Sequence, residues 1–314
     1  MPLSRNENGV WNLKLNEAEN LTKERSHSAY FDALPRYLTA LDPAFEVARK
    51  TSEFNFLFSI FAVRGMEDAG WNPYETTVRA IKVIREILGQ QGGEANRHLA
   101  LWLYGHIVEA SEPYEFLGNL IDVAAGGRFL TERFPPHASG APLSPQAKIS
   151  RLEECASAAG MPTVVIPMKE AWNREFRNAI FHADYALYGS EVRTLRPARS
   201  YDNDQVMALV NRALACHEAM SILRTIHIAS YTEPVAIPAD PAFSGNPEEK
   251  AIVIVREGYG ATGLKDGWTE EELRRGCIPF RLGRFTLEES RMLNADPALA
   301  LLPARNRSSG TEEK

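Results

Sequence analysis

From Ser28 to Ala124 the apolar residues recur mostly at three- and four-residue intervals, the spacing that lines one face of an α-helix and of no strand. In TTVRAIKVIREILGQ the residues Val78, Ile81, Val83 or Ile84, and Leu88 share one side. The following stretch, EANRHLALWLYGHIVEASEPYEFLGNLIDVAAGG, reads as two helices broken near Ser111 to Pro113 and closed by Gly126 and Gly127. A chain with this period must bury its stripes against other helices, so the expected fold class is mainly α, a helical bundle.

Punctuation divides the rest. FPPHASGAPLSP, residues 134–145, reads as a linker or long loop. Ser144-Pro145 then resembles an N-cap with proline in the first turn, opening SPQAKISRLEECASAAG. A further helix is expected from about Lys169 to Leu187, then a turn, a short strand and a loop in YGSEVRTLRPARSYDND. Asp204 or a neighbour should cap a long helix carrying Val206, Val210, Ala213 or Leu214, His217, Met220 and Ile226 along one stripe. Pro234, Pro238, Pro241 and Pro247 mark a second linker, AIVIV is a strand signal, and TEEELRRG is a short acidic helix. The expected organisation is therefore an N-terminal helical region at 1–135, its later helices open to joining the bundle, and a helical core at 140–232. A small α+β C-terminal appendage at 248–304 and a disordered tail at 305–314 complete it.

Charge and cysteine content exclude several classes. The 35 Lys and Arg against 41 Asp and Glu leave a formal charge of −6, so the whole chain is no generic polyanion binder. Cys155, Cys216 and Cys277 lie about sixty residues apart, without zinc-knuckle or redox spacing, and their odd number argues against a disulfide framework. With no signal-peptide pattern and no run of 18 apolar residues, the expectation is a cytoplasmic protein without a membrane partner.

The densest chemistry lies in KEAWNREFRNAIFHADYAL. Placed on one helix at about 100° per residue, Trp172, Phe176, Ala179, Ile180, Ala183 and Leu187 form an apolar face. The opposite face gathers Arg174, Arg177, Asn178, Phe181, His182 and Tyr185, with no carboxylate among them. A permanent guanidinium beside an imidazole suits phosphodiester chemistry: the first stabilises phosphorane charge and the second moves a proton near neutral pH. The same face could instead pack on a neighbouring helix. Arg193, Arg196 and Arg199 follow within seven residues of expected loop. Over residues 140–230 ten Lys/Arg stand against nine Asp/Glu, 10 − 9 = +1, the chain's least acidic part, and local clusters of this kind contact phosphates.

Arg177-Asn178, three residues, then His182 (RNAIFH) resembles the signature of the HEPN superfamily, in which an arginine and a polar residue precede a histidine on a helix. The family comprises helical bundles common among toxins, abortive-infection proteins and CRISPR-associated ribonucleases. The resemblance implies a metal-independent endoribonuclease needing no cofactor, in which two copies of the motif meet in a homodimer. They promote attack of the ribose 2′-hydroxyl on the adjacent phosphate. It implies Arg177 as the phosphorane-stabilising group, His182 as acid/base and Asn178 as the orienting residue. Arg174, Tyr185, Arg193, Arg196 and Arg199 would support the site or bind RNA, and an antitoxin partner is a further implication. Relatives that keep the fold without nuclease activity make a catalytically silent RNA- or nucleotide-binding scaffold the alternative.

A third reading starts from GYGATG, Gly258 to Gly263, a literal GxGxxG behind a strand. Arg256-Glu257 before it and Gly267-Trp268 after it spoil the strand-to-helix context, so a glycine-rich hairpin is expected over a dinucleotide site. His98 and His106 share a helix side with Glu109, but without the paired ExxH units of a di-iron bundle they read as core or surface histidines. His217 and His227 read the same way.

Overall fold

The computed structural model describes residues 3–14, 28–61, 73–88, 93–137, 139–244, 248 and 250–266. The expected acidic helix TEEELRRG, the tail at 305–314 and Cys277 lie outside the described residues.

The fold is mainly helical. Helix α1 (Ser28–Thr51) and the much later α9 (Asn203–Ala229) pack along one another and make the most extensive helix contact. Around them stand α2 (Glu53–Phe61), α3 (Pro73–Leu88), α4 (Gly93–Glu109), α5 (Glu112–Ala124) and α6 (Pro145–Ala158). A 3-10 turn (Pro162–Val165) leads into the short α7 (Ile166–Ala171) and α8 (Arg174–Phe181). On α1 the buried residues Leu34, Tyr37, Leu38, Leu41, Phe45 and Ala48 keep the three-and-four spacing, facing α9, α5 and the turn before α7. Buried side chains from Trp11 to Leu264 form one continuous core cluster.

Helix ends follow side-chain chemistry. Ser144 Oγ accepts from Ala147 N at 3.3 Å, as the Ser-Pro pair predicts. The break between α4 and α5 falls at Ser111 to Pro113, and Gly126 at φ +86° closes α5. The cap of α9 is Asp202, one of the neighbours of Asp204. Its Oδ1 accepts from Gln205 N at 2.8 Å while Gln205 Oε1 accepts from Asp202 N at 3.0 Å, a reciprocal box. Helix α9 alone among the described residues is long and apolar enough to cross a membrane, and 67% of its apolar window is buried in the protein's own core.

Among the described residues three small antiparallel sheets decorate the helices. β1 (Leu3–Arg5) and β2 (Trp11–Leu13) form an N-terminal hairpin that no hydrophobic period announces. β3 (Tyr185–Tyr188), β4 (Glu191–Leu195) and β5 (Ala198–Tyr201) form a meander where one strand and a loop were expected. β6 (Val235–Pro238), inside the proline-rich stretch read as a linker, pairs with β7 (Lys250–Arg256), after a single helical turn α10 (Pro241–Ser244). β7 turns back into β8 (Gly260–Asp266). GYGATG is therefore a hairpin turn and the start of an antiparallel strand, with no helix opening at it, which removes the dinucleotide reading. Gly260 has φ +89°, and a Cβ there would stand 2.1 Å from the Ile228 carbonyl oxygen, so glycine is what lets the hairpin seat on the end of α9.

His217 on α9 is 8% exposed, and burial, with His106 nearby, pushes its imidazole down to about 4. The folded state thus resists a proton that the unfolded chain accepts at about 6.5. The stability held by the neutral ring is complete above pH ~6.5 and is lost as pH falls through about 4, a change of about 3 kcal/mol. Denaturant titrations of the wild type and His217→Gln at pH 7 and pH 4 test this, and parallel losses in the two proteins would refute it.

Candidate functional site

The motif segment is not one helix. Trp172 leaves α7 in an extended conformation (φ −83°, ψ 123°), and Asn173 caps α8, its Oδ1 accepting from Phe176 N at 2.9 Å. Tyr104 of α4 fixes this break: its hydroxyl accepts from Asn173 N at 2.8 Å and donates to Ala171 O at 3.1 Å. Helix α8 then stops at Phe181, with His182 as its C-cap. Ala183 adopts φ +53°, and Asp184 N returns to Ala179 O at 2.9 Å, closing the end. The expected helix from Lys169 to Leu187 is thereby corrected at both ends. The left-handed stop falls on an alanine, where the usual glycine or asparagine signal is missing.

Tyr185 consequently lies in β3 rather than on the helix face. Its hydroxyl meets His98 Nδ1 of α4 at 2.9 Å. Arg193 and Arg199 lie on β4 and β5, not in a loop. Period-two alternation places Val192 and Thr194 inward and Arg193 and Leu195 outward. Arg193 bonds Glu191 Oε2 at 3.0 Å and stands 4.0 Å over the Tyr188 ring. Arg199 Nε pairs with Glu175 Oε2 at 2.9 Å. Much of the expected basic cluster is thus neutralised locally, while exposed Arg174 and Arg196 make no ion pair among the described residues.

Arg177 and His182 both stay out of the core. His182 is exposed, and Arg177 is partly exposed. Arg177 Nη1 donates to Asn178 Oδ1 at 2.9 Å, so the two side chains are hydrogen-bonded to each other. Its Nε donates to Glu109 Oε1 in a close ion pair, and its carbon head stands 5.0 Å over the Phe181 ring. The face expected to lack a carboxylate receives one from α4. Two of the five N–H directions are taken, and Nη2 has no hydrogen-bond partner among the described residues, leaving donors for an incoming anion.

Helix α4 supplies the second wall. His98, Trp102, Gly105 and Glu109 recur at helical spacing along one stripe. Two of them hold Tyr185 and Arg177, and at the third a Cβ would come within 3.1 Å of Phe181, so the glycine lets α8 close on α4. Trp102, absent from the residues singled out by sequence, is 68% exposed on this stripe, and Phe181 is 51% exposed. Its spacing from His98 and Glu109 was readable, but nothing in the sequence says which α4 stripe meets α8. His217 and His227, by contrast, are buried core histidines.

The pair has a stability consequence that separates the two motif residues. Arg177→Ala leaves Glu109, 29% exposed, without its cation and should cost about 1–2 kcal/mol. His182→Ala should stay within about 0.5 kcal/mol of wild type, since the ring is exposed. Equal losses in chemical denaturation would contradict this placement.

Compared with known proteins, the chain matches no family model, no curated protein and no solved structure.

Proposed function

We propose that the protein is a HEPN-like, metal-independent endoribonuclease acting as a homodimer. The observation that carries the reading is the surface position of the motif: exposed His182, and Arg177 held by Asn178 and Glu109 with donors to spare. In this reading Arg177 binds the scissile phosphate and stabilises the charge that develops on it. One His182 takes the proton of the 2′-hydroxyl as that oxygen attacks phosphorus. The partner's His182 protonates the departing 5′-oxygen. The products carry a 2′,3′-cyclic phosphate and a 5′-hydroxyl. Exposed Trp102 and Phe181 flank the motif and favour an interface or a stacked base beside it.

The Glu109–Arg177 ion pair is the observation that favours the alternative, a silent RNA-binding scaffold, because it offsets the charge a phosphate would seek. Single-stranded RNA incubated with the full chain in EDTA discriminates them. Cleavage with cyclic-phosphate ends is expected, because the Glu109 carboxylate beside the motif is already engaged by Arg177 and no group of metal ligands converges there among the described residues. RNA bound but left intact would establish the scaffold.

A further inference from the structure

Away from the motif, two carboxylates and a histidine converge beneath the N-terminal hairpin. Asp42 and Glu46 stand one turn apart on α1, and His227 comes from the last turns of α9. Their nearest donor atoms all lie within 4.8 Å of one another. Asp42 is 3% and His227 6% exposed, so this is not a solvated acidic surface. The His227 ring is stacked on Phe45 at 5.2 Å and set edge-on to Phe56 at 5.3 Å, which fixes its plane. No hydrogen bond to its ring nitrogens is present among the described residues. A buried imidazole held rigidly beside two carboxylates, with its nitrogens uncommitted, is a ligand in waiting.

What stands there now is a cation of the chain itself. Arg5 Nε reaches Asp42 Oδ2 at 2.6 Å, and its Nη1 reaches Glu46 Oε1 at 3.4 Å. Trp11 Nε1 donates to Asp42 Oδ2 at 3.3 Å, and exposed Lys50 lies 3.8 Å from Glu46. At the buried end of the cluster one guanidinium therefore stands against two carboxylates, Lys50 reaching Glu46 only from the exposed side.

We propose that Asp42, Glu46 and His227 form a site for one divalent first-row transition-metal cation, and that Arg5 occupies it as an internal substitute. Metal binding and docking of the β1–β2 hairpin then exclude one another. A 2+ ion bound by two carboxylates and a neutral imidazole gives a net charge of zero, which the single guanidinium does not. One nitrogen and two oxygen ligands suit Zn(II), Mn(II), Fe(II) or Co(II), and three protein ligands leave a position open. Metal–ligand bonds of about 2.0–2.2 Å place ligand atoms about 3.4 Å apart, so the donors must draw in by about 1 Å. Partly exposed Glu46 has the freedom to do so. The site shares no residue with the Arg177–His182 motif, so it stands whether or not that motif cleaves RNA.

The test is Co(II) titration of the untagged full chain, read by visible d–d absorption, in wild type, Arg5→Ala, Arg5→Ala/His227→Gln and Arg5→Ala/Glu46→Gln. Arg5→Ala should bind one Co(II) per chain at least ten-fold more tightly than wild type. Each second substitution should then weaken binding at least ten-fold, the Glu46 variant guarding against a folding defect at His227. In wild type, saturating Co(II) should speed amide hydrogen exchange across residues 3–14. Binding no tighter in Arg5→Ala, indifference to both ligand substitutions, or unchanged exchange at the hairpin would overturn the proposal.

Discussion

His182→Ala should lower RNA cleavage by about 100- to 10,000-fold, the range lost when a positioned general acid–base group is removed. The melting temperature should hardly move. The physical reason is placement: His182 is the exposed C-cap of α8, outside the core cluster, and its backbone N–H, bonded to Asn178 O at 3.0 Å, survives the substitution. His182→Gln keeps a polar side chain of similar reach but cannot shuttle a proton near neutral pH, so it should be as inactive as alanine. Arg177→Lys should also fail to restore full activity. An ammonium cannot make the two directed bonds to Glu109 and Asn178 while offering further donors to a phosphate. A His182→Ala protein that cleaves at the wild-type rate would end the catalytic reading.

The second large effect concerns assembly. One chain supplies one arginine and one histidine, and a single imidazole cannot occupy both sides of an in-line phosphorane. In the proposed homodimer a two-fold axis beside α8 would bring a second copy of each to the same phosphate, because an isologous interface sets like residues near the axis. Arg177→Ala and His182→Ala homodimers should each be inactive, and a hybrid of one wild-type and one His182→Ala subunit, left with a single imidazole, should be inactive too, so activity in such mixtures should fall as the square of the wild-type fraction. Trp102→Arg should weaken the dimer by about 30-fold or more, the effect of losing a buried aromatic anchor, with activity falling in step. Activity that falls only in proportion to the wild-type fraction, or full activity in a protein that sediments as a monomer, would exclude the shared site.

Helix α4 shows how far sequence reading carries and where it stops. Its periodicity, its break at Ser111 to Pro113 and the long capped α9 were legible because an amphipathic stripe and a local cap are written within a few consecutive residues. RNAIFH was legible as a motif for the same reason. That Arg177 would meet Glu109, 68 residues earlier, was not. Arg177 stands out in the sequence as a phosphate binder and Glu109 beside two histidines, with nothing local to join them.

The sequence by itself determined the mainly helical class, the positions of α3 to α6 and of α9, the Ser144 cap, and the presence of arginine, asparagine and histidine within six residues. Tertiary structure alone decided the rest. Tyr104 breaks the motif segment at Asn173, an alanine in a left-handed conformation ends it at His182, and Tyr185 and the arginines after it pass into a meander. It also turned Leu3–Arg5 into a strand paired with Trp11–Leu13, and the proline-flanked Val235–Pro238 into one paired with Lys250–Arg256. Helical periods and caps are satisfied between residues a few positions apart, so the chain spells them out. Ion pairs such as Arg177–Glu109 and close helix approach join residues tens to hundreds of positions apart, and the strands are too short to show a period, so only packing selects which of many compatible partners meet.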